Sequence, residues 1–388
     1  MMQFKPTLIS AAIALALAAA GAHAEDLVVK LGQVAPMSGG QAHYGRDNAN
    51  GAILAVEDLN AKGITIGGKK AKFELMNEDD AADPKQGNLV AQKLVDAKVN
   101  GVIGHLNSGT TIPASRVYNQ AGIGQISPSA TNPQYTQQGF KTAFRVVAND
   151  AQLGGTLGKY AIDKLNAKRI AVIDDRTAYG EGVAREFVKG AKARLPGVQI
   201  TQQYTTDKAT DFNAILTSIK GKNPDVVFFG GMDNVAGPML RQMKQLGINA
   251  KFMGGDGICT TALPSLAGEG LQNEQVVCAE AGGVTGPKEK DMEQFRERYK
   301  KRFGMDVQLY APYVYDAVMT MAEAMQKAGS IEPAKYLPVL AKMDREGVTG
   351  HINFDAKGDL KEGTLTLYTF KGGQKEKIAV VKGGGEAK

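Results

Sequence analysis

The stretch Gly101-Val102-Ile103-Gly104-His105-Leu106-Asn107-Ser108-Gly109-Thr110-Thr111 runs from a short apolar strand directly into a turn rich in hydroxyls. The arrangement repeats at Ile123-Gly124-Gln125-Ile126 followed by Ser127-Pro128-Ser129-Ala130-Thr131-Asn132-Pro133. Both turns place hydroxyls and backbone N–H groups just past a strand's carboxyl end, the edge at which open α/β sheets bind small ligands. Neither turn contains Lys or Arg. Neutral donors of this kind suit a carboxylate that must be held and later released. The same hydroxyls also suit ordinary helix capping, so the rest of the chain has to decide between the two.

Outward from these turns, apolar runs alternate with helical stripes. Upstream, residues 27–34 read as a strand, and Ala49, Ala52, Ile53, Val56 and Leu59 fall on one helical face. A strand over 73–76 ends in Glu78-Asp79-Asp80, and Asp83-Pro84 then offers an N-cap and a first-turn proline. That gives the acidic run a structural role in place of a metal site. The rhythm restarts after residue 150, with strands predicted over 169–174, 198–204, 226–229 and 252–254 and a helix over 179–195. Met239 and Met243 belong to a helical stripe that reads as core. Helices are expected over 288–303 and 312–327, and strands over 365–370 and 378–381 should return to complete the second sheet. Alternation of this kind predicts parallel sheets covered on both faces. Two rounds of it, broken near 146–150, predict two doubly wound parallel-sheet lobes. With no low-complexity linker between them, several crossing strands are expected rather than one tether.

The 388 residues carry a net charge of +6, dispersed along the chain, without the basic clusters and interleaved aromatics of a nucleic-acid surface. Residues 1–24 read as a secretory signal: Lys5, an apolar stretch over 8–20, and Ala22-His23-Ala24 before Glu25. An exported, soluble mature chain is therefore expected, cleaved after Ala24. In that compartment Cys259 and Cys278 are expected to pair, with two buried thiols as the alternative. Catalytic patterns are poor. His43, His105 and His351 lack zinc-ligand spacing and read as capping or packing residues. Gly154-Gly155-Thr156-Leu157-Gly158-Lys159-Tyr160 misses phosphate-loop spacing by one residue, and Tyr160 replaces the metal-binding hydroxyl. There is no Gly-x-Ser-x-Gly elbow and no dinucleotide fingerprint, so neither an enzyme nor a cofactor or metal is expected.

A series of short motifs runs in order along the chain. It comprises Pro36-Met37-Ser38-Gly39 with Tyr44-Gly45, Asp79-Asp80-Ala81-Ala82-Asp83-Pro84, Gly104-His105-Leu106-Asn107-Ser108 and Ser127-Pro128-Ser129-Ala130-Thr131. Tyr179-Gly180-Glu181-Gly182, Phe229-Gly230-Gly231, Phe252-Met253-Gly254 and Phe354-Asp355-Ala356-Lys357-Gly358-Asp359 complete it. Over essentially the whole mature length this series resembles the periplasmic substrate-binding proteins of ABC importers for branched-chain amino acids. The resemblance implies a type I periplasmic binding protein-like fold, with two lobes joined by a three-strand hinge that close on the ligand. It implies lobes of 25–146 with 280–351 and of 147–279 with 352–388, the leader being 1–24.

It further implies that Ser108, Ser129 and Thr131 hold the α-carboxylate and part of the ammonium, that Ala130 between them also lines the ligand site, and that Asp256 pairs with the ammonium. Tyr44, Tyr179 and Tyr310 match aromatic positions of the side-chain pocket. Met232 stands where relatives carry a pocket tyrosine, and Asp256 where they often carry Glu. The best-known members have their disulfide in the first lobe, at positions occupied here by Ala82 and Asn107. The implied partners are a small amino-acid ligand and, transiently, a membrane ABC permease, with no nucleic acid and the protein monomeric. Another amino acid, a short amide, a small aromatic acid or a ligand-sensing role are the alternatives.

Overall fold

The segment Val226-Val227-Phe228-Phe229-Gly230 is buried at every position, as expected of a strand covered on both faces. Short runs of this kind organise a computed structural model that describes residues 26–383. The expected leader and its cleavage site lie outside the described residues. The first sheet is built from β1 (Leu27–Ala35), β2 (Thr65–Ile66), β3 (Lys69–Asp79), β4 (Gly101–Ile103), β5 (Gln125–Ser127) and β6 (Ala143–Arg145). Between these run α1 (Ala42–Lys62), α2 (Pro84–Asp96), α3 (Ser108–Ala121) and α4 (Gln134–Gln137). The second lobe opens with α5 (Asp150–Asp163) and continues through β7 (Arg169–Asp174), α6 (Ala178–Arg194), β8 (Gln199–Tyr204), α7 (Asn213–Lys220) and β9 (Val226–Gly230). It then adds α8 (Asp233–Gln245), β10 (Lys251–Gly254), α9 (Leu263–Ala267) and β11 (Val276–Glu280).

The chain next returns to the first lobe with α10 (Lys288–Phe303) and α11 (Ala311–Ala328), where Phe295, Tyr299 and Ala311 pack with Leu54 of α1. After α12 (Pro333–Leu340) and a small hairpin of β12 (Asp344–Glu346) and β13 (His351–Asn353), it crosses back. Strands β14 (Thr364–Lys371) and β15 (Gln374–Lys382) then finish the second sheet.

The strand orders are β2-β3-β1-β4-β5-β6 and β15-β14-β11-β10-β9-β7-β8. Each lobe therefore reverses its winding once, between β1 and β4 in the first and between β7 and β9 in the second. A crevice opens at such a reversal, beyond the carboxyl ends of the strands. The parallel winding predicted from the sequence is correct for the body of each sheet. Its margins differ: β2 joins β3, β14 joins β11 and β15 joins β14, all in antiparallel register. Three extended crossings link the lobes, after β6, after β11 and before β14, and the first two are tied where the Ala148 N–H donates to the Ala281 carbonyl at 2.9 Å.

Two motifs find structural roles. Asp83 caps α2, accepting from the N–H groups of Lys85 at 2.7 Å and Gln86 at 3.1 Å. Asp79 accepts from the Met37 N–H, Asp80 is buried against His105, and no cluster suited to a metal ion occurs among the described residues. The glycine-rich 154–160 segment lies within α5. A Cβ on Gly158 would sit 2.2 Å from the Phe187 carbonyl oxygen, so its glycine serves close packing of α5 on α6.

Cys259 and Cys278 are bonded, their Cα atoms 5.4 Å apart, tying the loop after β10 to β11. Closing a loop of this size limits the unfolded chain. Reduction, or replacement of both cysteines by alanine, is expected to cost about 3 kcal/mol, read as a lower urea midpoint. An unchanged midpoint would contradict this.

Candidate functional site

The hydroxyl-rich turns follow β4 and β5, at the winding reversal of the first lobe and next to it. Ser108 opens α3 and its Oγ accepts from the Asn132 N–H at 3.2 Å, which stitches one turn to the other. The Ser129 hydroxyl donates to the Leu106 carbonyl at 2.9 Å, a second stitch. Its proton is thus spent inside the wall, so Ser129 shapes the turn and its hydroxyl is no free donor. The Thr131 hydroxyl, fully buried, has no hydrogen-bond partner. Ala130 turns its carbonyl away to Arg145.

The opposite wall comes from the carboxyl ends of β7, β9 and β10. Asp256, fully buried just after β10, accepts from the Tyr179 hydroxyl at 2.8 Å and from the Tyr310 hydroxyl at 2.9 Å, one on each oxygen. The Tyr179 oxygen in turn accepts from the Gly257 N–H at 2.9 Å, while the Tyr44 hydroxyl donates to the Gly257 carbonyl at 2.7 Å. Tyr44 and Tyr310 belong to the first lobe and Tyr179 to the second, so these contacts span the cleft and the lobes are closed. The tyrosines are more than an aromatic lining, because their hydroxyls hold the acid and its turn in place. Met232 precedes α8 and touches the same turn. A Cβ on Gly257 would lie 2.8 Å from the Met232 sulfur and from the Tyr179 ring. All nine residues singled out in the sequence are buried.

Burial pushes the Asp256 carboxyl up to about 6, against the pull of the two tyrosine donors. Its charge adds to the burial that raises the Tyr44, Tyr179 and Tyr310 hydroxyls, so all three remain protonated donors.

Several groups had no signal in the sequence. Asp150, the first residue of α5, is fully buried with both carboxylate oxygens unpartnered. Burial and the nearby charge of Asp256 raise it to about 8, although the Thr131 hydroxyl close by and Arg145 and Arg185 ease it. The Thr131–Asp150 approach falls short of a completed hydrogen bond. Thr131, Asp150 and Asp256 thus share one electrostatic neighbourhood, with two acids where the sequence pointed to one. His43, expected only to pack or cap, reaches across the cleft, with its Nε2 2.9 Å from Asp233 at the start of α8. Asp47, one helical turn past His43, accepts from the N–H groups of Gln308, Leu309, Tyr310 and Ala311. It therefore caps α11 from a different helix and fixes Tyr310.

This arrangement of a split, closed cleft at two winding reversals agrees with the match of residues 28–375 to the periplasmic binding protein family. The chain belongs to the periplasmic binding protein family. An amino acid binding protein of Pseudomonas aeruginosa is 37% identical over 88% of this chain and 90% of its own length. A Leu/Ile/Val-binding protein homolog of Brucella abortus is also 37% identical, over 93% and 95%. Among solved structures, a branched-chain amino acid transporter substrate binding protein from Streptococcus pneumoniae in complex with isoleucine superposes with a TM-score of 0.81. It is 30% identical, covering 92% of this chain and 99% of that one.

Proposed function

We propose that this periplasmic binding protein captures a branched-chain aliphatic L-amino acid, leucine, isoleucine or valine, by hinge closure and delivers it to a membrane ABC importer. The observation that carries the reading is Asp256, a sealed carboxylate gripped by tyrosines of both lobes, with Asp150 between its field and that of the unpartnered Thr131 hydroxyl. A buried anion calls for a cation, and a zwitterion supplies one together with the carboxylate that the hydroxyl turns suit. Ser108, Thr131 and the backbone of 129–131 receive the carboxylate, Asp256 and Asp150 the ammonium, and Met232 forms an adaptable part of the side-chain wall. The lobes proposed are 25–146 with 280–351 and 147–279 with 352–388. The two large sheets, over 27–145 and over 169–280 with 364–382, support this division in outline, with β11 running one residue past its bound and β13 straddling the last. The names of the relatives support the ligand class. Export with cleavage after Ala24, a monomeric state, transient docking to a permease and a non-enzymatic role complete the proposal.

Calorimetry on refolded, ligand-stripped protein tests it. Saturable heat with leucine, isoleucine or valine is expected, and none with any of the three removes the ligand assignment. Heat only with another amino acid, an amide or an aromatic acid would keep the fold's role and replace the ligand.

The raised carboxyl of Asp256 fixes the sign of a pH effect. An acid that binds its proton more tightly when folded favours the folded state at low pH, and that contribution is lost as pH rises through about 6. The ammonium needs the ionised form, so below about 6 binding must expel a proton from Asp256, in addition to the one that Asp150, raised to about 8, gives up when an ammonium ionises it. The Asp256 proton alone is expected to lower affinity by up to about tenfold per pH unit there. Titration calorimetry between pH 4.5 and 7 in buffers of differing ionisation heat checks both the slope and the released proton, these bounds bracketing roughly the shifted carboxyl. A flat profile would contradict the role of Asp256.

A further inference from the structure

Neither hydroxyl turn contains a cation, yet the fold places one directly behind them. Arg145, at the end of β6, is fully buried and is the bulkiest of the described side chains to be so. Its Nη1 donates to the carbonyls of Ala130 at 2.7 Å and Asn132 at 3.1 Å, on either side of Thr131. Its Nη2 donates to the Thr136 hydroxyl at 2.8 Å, and its Nε to Asp359 Oδ1 at 2.6 Å. Asp359 lies on the third crossing segment. It also accepts from the Thr136 hydroxyl at 2.9 Å and from Asn149 Nδ2 at 3.3 Å. Asn149, on the first crossing, caps α5 just ahead of Asp150.

A trans peptide points its carbonyl and the following N–H in opposite directions. With the Ala130 carbonyl drawn to the guanidinium, the Thr131 N–H faces away from it. A buried positive charge behind that peptide also strengthens the N–H as a donor, because little water is present to screen it. We infer that Arg145 is a positioning residue for carboxylate recognition, acting through the 129–132 turn without touching the ligand, and that Asp359 anchors it to two crossing segments of the hinge. The inference rests on the amino-acid reading above and adds to it a residue outside the cleft.

The test compares leucine with leucinamide, which keeps the ammonium and side chain but replaces the carboxylate by a neutral amide. Binding of both is measured for the native sequence and for Arg145→Gln, Arg145→Lys and Asp359→Asn, with circular dichroism confirming the fold. Arg145→Gln is expected to weaken leucine roughly tenfold to a hundredfold and leucinamide by less than about threefold, the difference being the charge-assisted share. Arg145→Lys should recover part of the loss, and Asp359→Asn should show a smaller shift in the same leucine-selective direction. If Arg145→Gln does not fold, the ratio is read from Asp359→Asn. Equal losses for both ligands, or no loss, overturn the inference while leaving the functional reading in place. If the native sequence binds none of leucine, isoleucine and valine, the reading fails and the inference falls with it.

Discussion

Asp256→Asn is expected to weaken amino-acid binding by about a hundredfold to a thousandfold, the usual consequence of removing one partner from a sealed charge pair. The geometry is severe, because Asp256 is fully buried and both its oxygens are committed to tyrosine hydroxyls. Asparagine keeps the shape and one acceptor but supplies no charge, so the ammonium would enter a site closed to water without its counter-ion. Asp150 limits the loss. It already lies in the same neighbourhood and is raised to about 8, so an ammonium can induce its ionisation. Asp150→Asn alone should therefore cost less than Asp256→Asn, and the double variant more than either. Calorimetry at neutral pH decides. Unchanged affinity in Asp256→Asn would mean that the ligand carries no ammonium against this wall.

A second large effect is expected directly behind Tyr310, at a residue that does not face the ligand. Asp47→Ala should destabilise the protein by about 3–5 kcal/mol, because it strips the partner from three buried N–H groups and a fourth, half-buried one at once. Those groups are the amides of Gln308, Leu309, Tyr310 and Ala311, bonded at 2.9, 3.0, 2.7 and 2.9 Å. Tyr299 adds a hydroxyl at 3.1 Å. Burial still holds the Asp47 carboxyl above its ordinary range, so the network compensates desolvation only in part. Because Tyr310 is among the residues so fixed, amino-acid affinity should fall as well. Urea denaturation measures the first effect. A midpoint close to that of the native sequence would show that water or local rearrangement satisfies the freed amides.

The body of the fold was legible because its strands are short, apolar and covered on both faces, as at 169–174 and 226–230. The strands β6 and β11 were not anticipated. Ala143-Phe144-Arg145 is only three residues long and ends in a charge, and Val276–Glu280 contains Cys278, one end of the disulfide, at its centre. The hydroxyl turns announced themselves through composition and position. Which hydroxyl stays free did not, since that depends on rotamers, and only the structure shows Ser129 turned to Leu106 while Thr131 remains unpartnered. Asp47, Arg145, Asp150 and the His43–Asp233 contact escaped notice for one shared reason. A lone charged residue in sequence reads as solvated, and its burial is decided by segments as distant as residues 308–311 and 359.

A crystal structure of the ligand-stripped protein soaked or grown with leucine addresses the central claim most directly. The ammonium should lie within about 3.2 Å of an Asp256 oxygen, with the carboxylate against Ser108, Thr131 and the 129–131 backbone. Leucine bound elsewhere, or in the cleft with its ammonium turned away from both Asp256 and Asp150, would contradict the account.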